Sequence, residues 1–249
     1  MTPNDVAELG TIVGVWAHPD DEAYLSAGLM TTAIAAGNRV VCVTATRGER
    51  GTSDPQSWPP ARLARLRERE LAASLAALGV TEHRWLDYDD GRCDRVNDIV
   101  AVPSIEAILT DVDADTVVTF GPDGITGHPD HIAVGRWATE AADRMGVTTV
   151  LHATTTASWA ERFAEVHRRF SVFGPDGPPE TPEPELALAL DLSSHLLDRK
   201  VAALRAQASQ TAELREQMGE STYRRWWASE CFVAPSRDGE RLQRAASRG

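Results

Sequence analysis

Cysteine is scarce in this sequence: Cys42, Cys93 and Cys231 are the only three, and no two form a CxxC pair. A soft-thiolate metal site is therefore not on offer, and an odd, sparse count fits a reducing compartment. Lysine is scarcer, since Lys200 is the only one among 25 basic residues. We read the arginine bias as a mark of GC-rich coding. Positive charge is in deficit, with 37 acidic residues and a formal net charge of −12. That balance disfavours sequence-independent nucleic-acid binding, which needs a basic surface to displace counterions, and gives no attraction to an anionic membrane. No apolar run approaches the roughly 20 residues of a membrane span. The opening MTPNDVAELG has neither a basic region nor an apolar run of signal-peptide length. The expectation is a cytoplasmic protein without a nucleic-acid or membrane partner; a homo-oligomer is compatible with the sequence. Two catalytic signatures are missing as well. The first apolar run does not lead into GxGxxG, which argues against a nucleotide cofactor. No GxSxG elbow is present, which argues against a serine hydrolase.

What is present reads as α/β. The 249 residues, 42% hydrophobic and 25% charged, suit one domain with its own core. Residues 1–249 are expected to form it, with 171–249 a more variable part. Short buried runs at 12–17, 40–45, 116–120 and 148–153 read as strands, and 83–86 as a shorter one. Helical patterns are expected at 22–36, 62–78, 96–109, 130–145, 158–170 and 193–218. A long loop at 47–60, a Pro-rich segment at 174–185 and an edge strand at 186–192 complete the reading. Strands alternating with helices imply a Rossmann-like, mainly parallel sheet flanked by helices, with the active site at the carboxyl ends of the strands.

Two polar clusters fall at such strand ends. His18-Pro19-Asp20-Asp21-Glu22 follows the first strand, and Gly127-His128-Pro129-Asp130-His131 follows the fourth. Zinc takes imidazole nitrogen and carboxylate oxygen, and a catalytic zinc keeps three protein ligands and an open position. The surplus carboxylates offer the base that hydrolysis needs. Taken singly, either cluster reads equally well as turn and cap residues. Together, each behind a buried strand, they favour a metal centre.

AHPDDE, TRGERGT, the RxxE of the next helix and GHPDH, in this order through about Ala142, resemble the LmbE-like (PIG-L) family of metal-dependent N-deacetylases. The resemblance implies one Zn2+ per chain, with Fe2+ an alternative in such a nitrogen–oxygen set. It implies a small-molecule N-acyl amino-sugar-like substrate. By position it implies His18, Asp21 and His131 as metal ligands and Asp20 as general base. His128 is implied as the oxyanion stabiliser and Asp130 as the group that orients and tunes His128. Arg67 resembles a substrate-contacting arginine. Gln207 stands where many relatives carry histidine. Other readings are an amidase of mycothiol-type thiol conjugates, a catalytically silent small-molecule binder of this fold, and a phosphoesterase. The last is disfavoured because many phosphatases use two metals.

Overall fold

The computed structural model describes residues 6–174 and 177–235. The Pro-rich segment is thus covered except for Pro175 and Asp176, which lie outside the described residues. No described helix is long and apolar enough to cross a membrane.

Chain order is β1 (Ile12–Trp16), α1 (Asp21–Leu25), α2 (Ala27–Ala35), β2 (Val40–Thr46), α3 (Pro60–Leu78), β3 (Glu82–Tyr88) and α4 (Asp98–Val112). It continues with β4 (Thr116–Phe120), α5 (Pro129–Met145), β5 (Thr149–Thr154), α6 (Ala157–Arg162), α7 (Ala164–Phe170) and β6 (Leu186–Asp191). It closes with α8 (Ser194–Ala206), α9 (Ala208–Met218), α10 (Glu220–Trp226) and β7 (Ser229–Val233). The strands form one seven-stranded sheet in the order β3-β2-β1-β4-β5-β7-β6. β1 to β5 pair in parallel, whereas β7 is antiparallel to both β5 and β6. β1, β2 and β4 are buried along their whole length. This is why their sequences are unbroken apolar or small-residue runs with no alternation.

Three long helical expectations resolve into pairs. The break at Ser26 has a cause far along the chain: the Glu230 carboxylate of β7 accepts from Gly28 N at 2.8 Å and from Leu29 N at 2.9 Å. Those amides would be spoken for inside a continuous helix, so a new helix start is made and capped from outside. Gly28 permits the approach, since a Cβ there would lie 3.1 Å from Glu230 and 2.3 Å from Leu192. The break at Gln207 (φ −97°, ψ 47°) turns that side chain into the core, where it is 1% exposed. The third break falls at Phe163, whose buried ring packs 5.5 Å from that of Trp159. β7 was not anticipated at all; the 223–232 stretch carries its apolar residues partly in α10.

Glu230 also meets Lys200 Nζ at 2.8 Å, with the lysine fully buried. Removing one partner of such a pair leaves an uncompensated charge inside the protein, worth about 3–5 kcal/mol. Glu230→Ala is therefore expected to cost about that much in denaturant unfolding, and Glu82→Ala, which breaks the exposed Arg39–Glu82 pair, far less.

Candidate active site

β1 and β4 are neighbours although about a hundred residues separate them, and connections run outward from them in opposite directions. The carboxyl ends of such a strand pair open a crevice, because successive loops diverge there. Both polar clusters occupy it. A cavity of about 440 Å³ spans the same edge of the sheet and is lined by His18, Asp20, Asp21, Arg67, His128 and His131, among others.

His18, Asp21 and His131 converge. His18 Nδ1 lies 3.2 Å from His131 Nε2 and 3.7 Å from Asp21 Oδ2, and His131 Nε2 lies 3.4 Å from Asp21 Oδ1. Donors bound at 2.0–2.1 Å around a tetrahedral ion stand about 3.3 Å apart. The outer edges of both rings fix which nitrogens point inward as lone pairs. His18 Nε2 faces only carboxylates, Asp90 Oδ1 at 3.1 Å and Asp130 Oδ2 at 3.2 Å, so it carries a proton. His131 Nδ1 faces the Gly124 carbonyl at 3.0 Å and the Thr126 hydroxyl at 3.2 Å, so it carries the other. Two lone pairs and a carboxylate then share one small space, a set that needs a cation at its centre. When a proton alone serves, it settles on His18. Burial opposes the charge, but hydrogen bonds to Asp130 and Asp90 and the charge of Asp21 lift His18 to a pKa of about 10. Burial lowers His131 to about 4. Single atoms of His18, His128 and His131 also lie within 4.8 Å of one another. A second grouping, His18 with Asp90 and Asp130, is an N–H facing acceptors and has no need of an ion.

Asp20 sits beside this set with φ at 107°, an uncommon value for a residue with a side chain. Its N–H donates to Glu22 Oε2 at 2.9 Å, and its carbonyl accepts from Ala23 N and Tyr24 N, opening α1. Arg67 Nη2 lies 3.5 Å from Asp20 Oδ2 and also donates to the Pro19 carbonyl, while Nη1 donates to Gly48 O at 2.8 Å. Burial, opposed by Arg67 and reinforced by Asp21, raises Asp20 to about 7. Glu22 is fully buried. Its Oε1 accepts from Ser74 Oγ at 2.9 Å and from Gln207 Nε2 at 2.6 Å. Burial and the neighbouring Asp20 raise it to about 8.

Two sequence expectations change here. Asp130 was expected to orient His128. Its carboxylate instead binds His18, Gly91 N at 2.7 Å and Cys93 N at 2.9 Å. Its hydrogen bond to His128 is through the backbone, the ring capping α5 by accepting from Asp130 N at Nδ1, 3.1 Å away, while the carboxylate's charge still acts to raise the His128 pKa. That bond leaves the proton on Nε2, so His128 is a neutral donor, and burial together with the charge on His18 lowers its pKa. Arg67 was expected on the substrate. It does line the cavity, but both terminal nitrogens hold the protein's own loops. Asp90 was missed. It follows β3 at the same sheet edge, and the strand-end rule applied to Tyr88-Asp89-Asp90-Gly91 would have found it.

The family model described as GlcNAc-PI de-N-acetylase (PIG-L) matches residues 13–142. A 1D-myo-inositol 2-acetamido-2-deoxy-alpha-D-glucopyranoside deacetylase of Saccharomonospora viridis is 33% identical over 226 residues, 79% of this chain and 83% of that protein. Among solved structures, N,N'-diacetylchitobiose deacetylase of Pyrococcus horikoshii superposes with a TM-score of 0.63 at 20% identity, covering 90% of this chain and 83% of that one. The 4-carboxy-2-hydroxymuconate hydratase of Pseudomonas putida scores 0.63 at 17% identity, covering 90% and 95%. The fold is thus shared by hydrolase and hydratase, and the site must decide the chemistry.

The raised Glu22 has a thermodynamic consequence. Its folded-state pKa of about 8 exceeds the ordinary 4.5, so the folded protein holds that proton more tightly. The stability it lends is complete below pH 4.5 and is lost as pH rises through about 8. Urea unfolding of chelator-treated protein should weaken from pH 5.5 to 8, and Glu22→Gln should remove a share of at most about 1.4 kcal/mol per pH unit.

Proposed function

Because this chain belongs to the GlcNAc-PI de-N-acetylase (PIG-L) family, which its 13–142 match and its 33% identical relative establish, we propose that it is a metal-dependent hydrolase of N-acyl amino-sugar-like amides. The observation that carries the reading is the set of two inward lone pairs and one carboxylate made by His18, His131 and Asp21, with Asp20 poised beside it. His18, Asp21 and His131 would hold the ion, Zn2+ fitting their nitrogen–oxygen set and Fe2+ being the alternative. When bound, a divalent cation supplies Lewis acidity, polarising the acyl carbonyl and bringing the pKa of water to about 7.

The chain's own groups do the rest. Asp20, beside the ligand set and held by Arg67, takes a proton from the attacking water and gives it up afterwards. Arg67 keeps that carboxylate aimed while leaving it uncoordinated. His128 presents Nε2–H to the carbonyl oxygen as charge develops there, as a neutral donor. The leaving amine takes its proton from Asp20, which returns to its starting state. Asp130 and Asp90 act through His18, holding its ring with Nδ1 inward. An N-acetylglucosaminyl-inositol, the substrate in the name of the relative from Saccharomonospora viridis, would meet the same chemistry, and so would the amide of a mycothiol-type conjugate.

Acetate release from N-acetylglucosamine conjugates tests the reading. A chelator should abolish it and a stoichiometric divalent metal should restore it. Asp20→Asn should keep the metal and lose about 10²–10⁴-fold in kcat, and His128→Ala about 10²–10³-fold. Undiminished turnover by Asp20→Asn would remove that residue as the base. Asp130→Asn should weaken metal affinity about 10–100-fold in competition with a chelator.

A further inference from the structure

The two ends of the cavity differ in chemistry, and the sheet order decides which is which. The metal-centre residues follow β1 and β4, the middle of the sheet. On one side, beyond β2 and β3, the walls are polar: Arg50 and Gly51 from the loop after β2, Arg67 of α3, Asp90 and Gly91 after β3, and Gln210. Arg67 Nε is there a buried donor without a partner. On the other side, beyond β5 and β7, the walls are Trp159, Val172, Phe173, Trp226 and Trp227.

Most of the polar groups on that second side are already committed. Thr154 Oγ1 pairs with Thr181 Oγ1 at 2.7 Å, Thr155 Oγ1 donates to Pro179 O, and Thr156 Oγ1 caps α6 at Trp159 N. Glu230 is taken by Lys200 and the start of α2. Trp159 Nε1 donates to the Trp226 carbonyl at 3.1 Å. The Trp227 indole N–H, the Ser229 hydroxyl and the Cys231 thiol are left there without a hydrogen bond, a sparse set for a ring of hydroxyls. Trp159, Phe173 and Trp227 are each 8–9% exposed, so their rings are largely buried walls and not an open platform.

An amide carbonyl has two substituents, the amine side and the acyl side. Hydroxyl groups of an amino sugar need polar partners, and the β2–β3 side is the richer in them, since the Arg50 guanidinium and the Gln210 Oε1 there carry no hydrogen bond among the described residues. The acyl substituent then points toward β5 and β7, and an acetyl methyl is smaller than any one of the rings lining that half. We propose that the aromatic half is an acyl-group pocket, and that this chain prefers N-acyl amino sugars whose acyl group is a medium alkyl chain or an arylalkyl group. The inference rests on the amide-hydrolase reading above. The reaction is unchanged: water adds at the carbonyl carbon, the C–N bond breaks, and carboxylic acid and free amine leave.

The test is a series of N-acylglucosamines, acetyl, butanoyl, hexanoyl and phenylacetyl, assayed for free amine with the metal-loaded protein. kcat/KM should rise roughly three- to fourfold per buried methylene, as apolar transfer predicts, and phenylacetyl should exceed acetyl at least tenfold. Val172→Trp, which fills this half, should cut the hexanoyl-to-acetyl ratio at least tenfold. A parallel arm uses the octyl glycoside of N-acetylglucosamine, whose apolar group is on the amine side. Rates that fall with acyl length, or a gain with the octyl glycoside and none with longer acyl groups, overturn the acyl pocket and leave the hydrolase standing. No amine from any member overturns both.

Discussion

Everything at this site turns on how one imidazole is held. His18 has carboxylates along one edge and, along the other, a second imidazole and Asp21. Asp90 and Asp130 claim its Nε2 proton, and in doing so aim the opposite lone pair at His131. Each of the three residues comes from a different strand end, so the ring is oriented by β1, β3 and β4 together. A local motif could supply the ligand atoms but not that orientation. The parallel sheet supplies it, by bringing its loops out along one edge.

The part of this that could be read from sequence was the part carried by short-range pattern. Buried strands announce themselves as apolar runs, and the two His-Pro-Asp clusters stand directly behind two of them. The residues' kinds and spacing suffice to nominate a metal centre. What could not be read depends on contacts across the chain. Asp90 is one carboxylate among many until β3 is known to lie beside β2. The role of Asp130 was assigned to the nearer histidine in sequence, whereas the fold gives its side chain to the one 112 residues away. Gln207 looked like the end of a resemblance, and it proves to be a buried donor to Glu22 and Ser74, behind the segment that carries Asp20.

Helix continuity was misjudged for the same reason. Periodicity reports the face a helix buries, and it continues smoothly through Ser26 and Gln207. The breaks come from partners that periodicity does not see: a carboxylate from β7 that takes two amides, and a core pocket that takes one amide side chain. Both are local costs accepted to complete a polar network in the interior, where an unmatched group is expensive.

β7 has an implication for the birth of the molecule. It lies between β5 and β6, is the only described strand to pair with β6, and carries the carboxylate that starts α2. Yet of the described strands it is the last to be synthesised. On a ribosome the catalytic edge can be drafted early, but β6 has nowhere to dock and α2 no external cap until residues 229–233 emerge. Assembly of this enzyme is then gated by the last of its described strands, and a nascent chain halted before it would be left with an open sheet edge at β5 for a chaperone to shield.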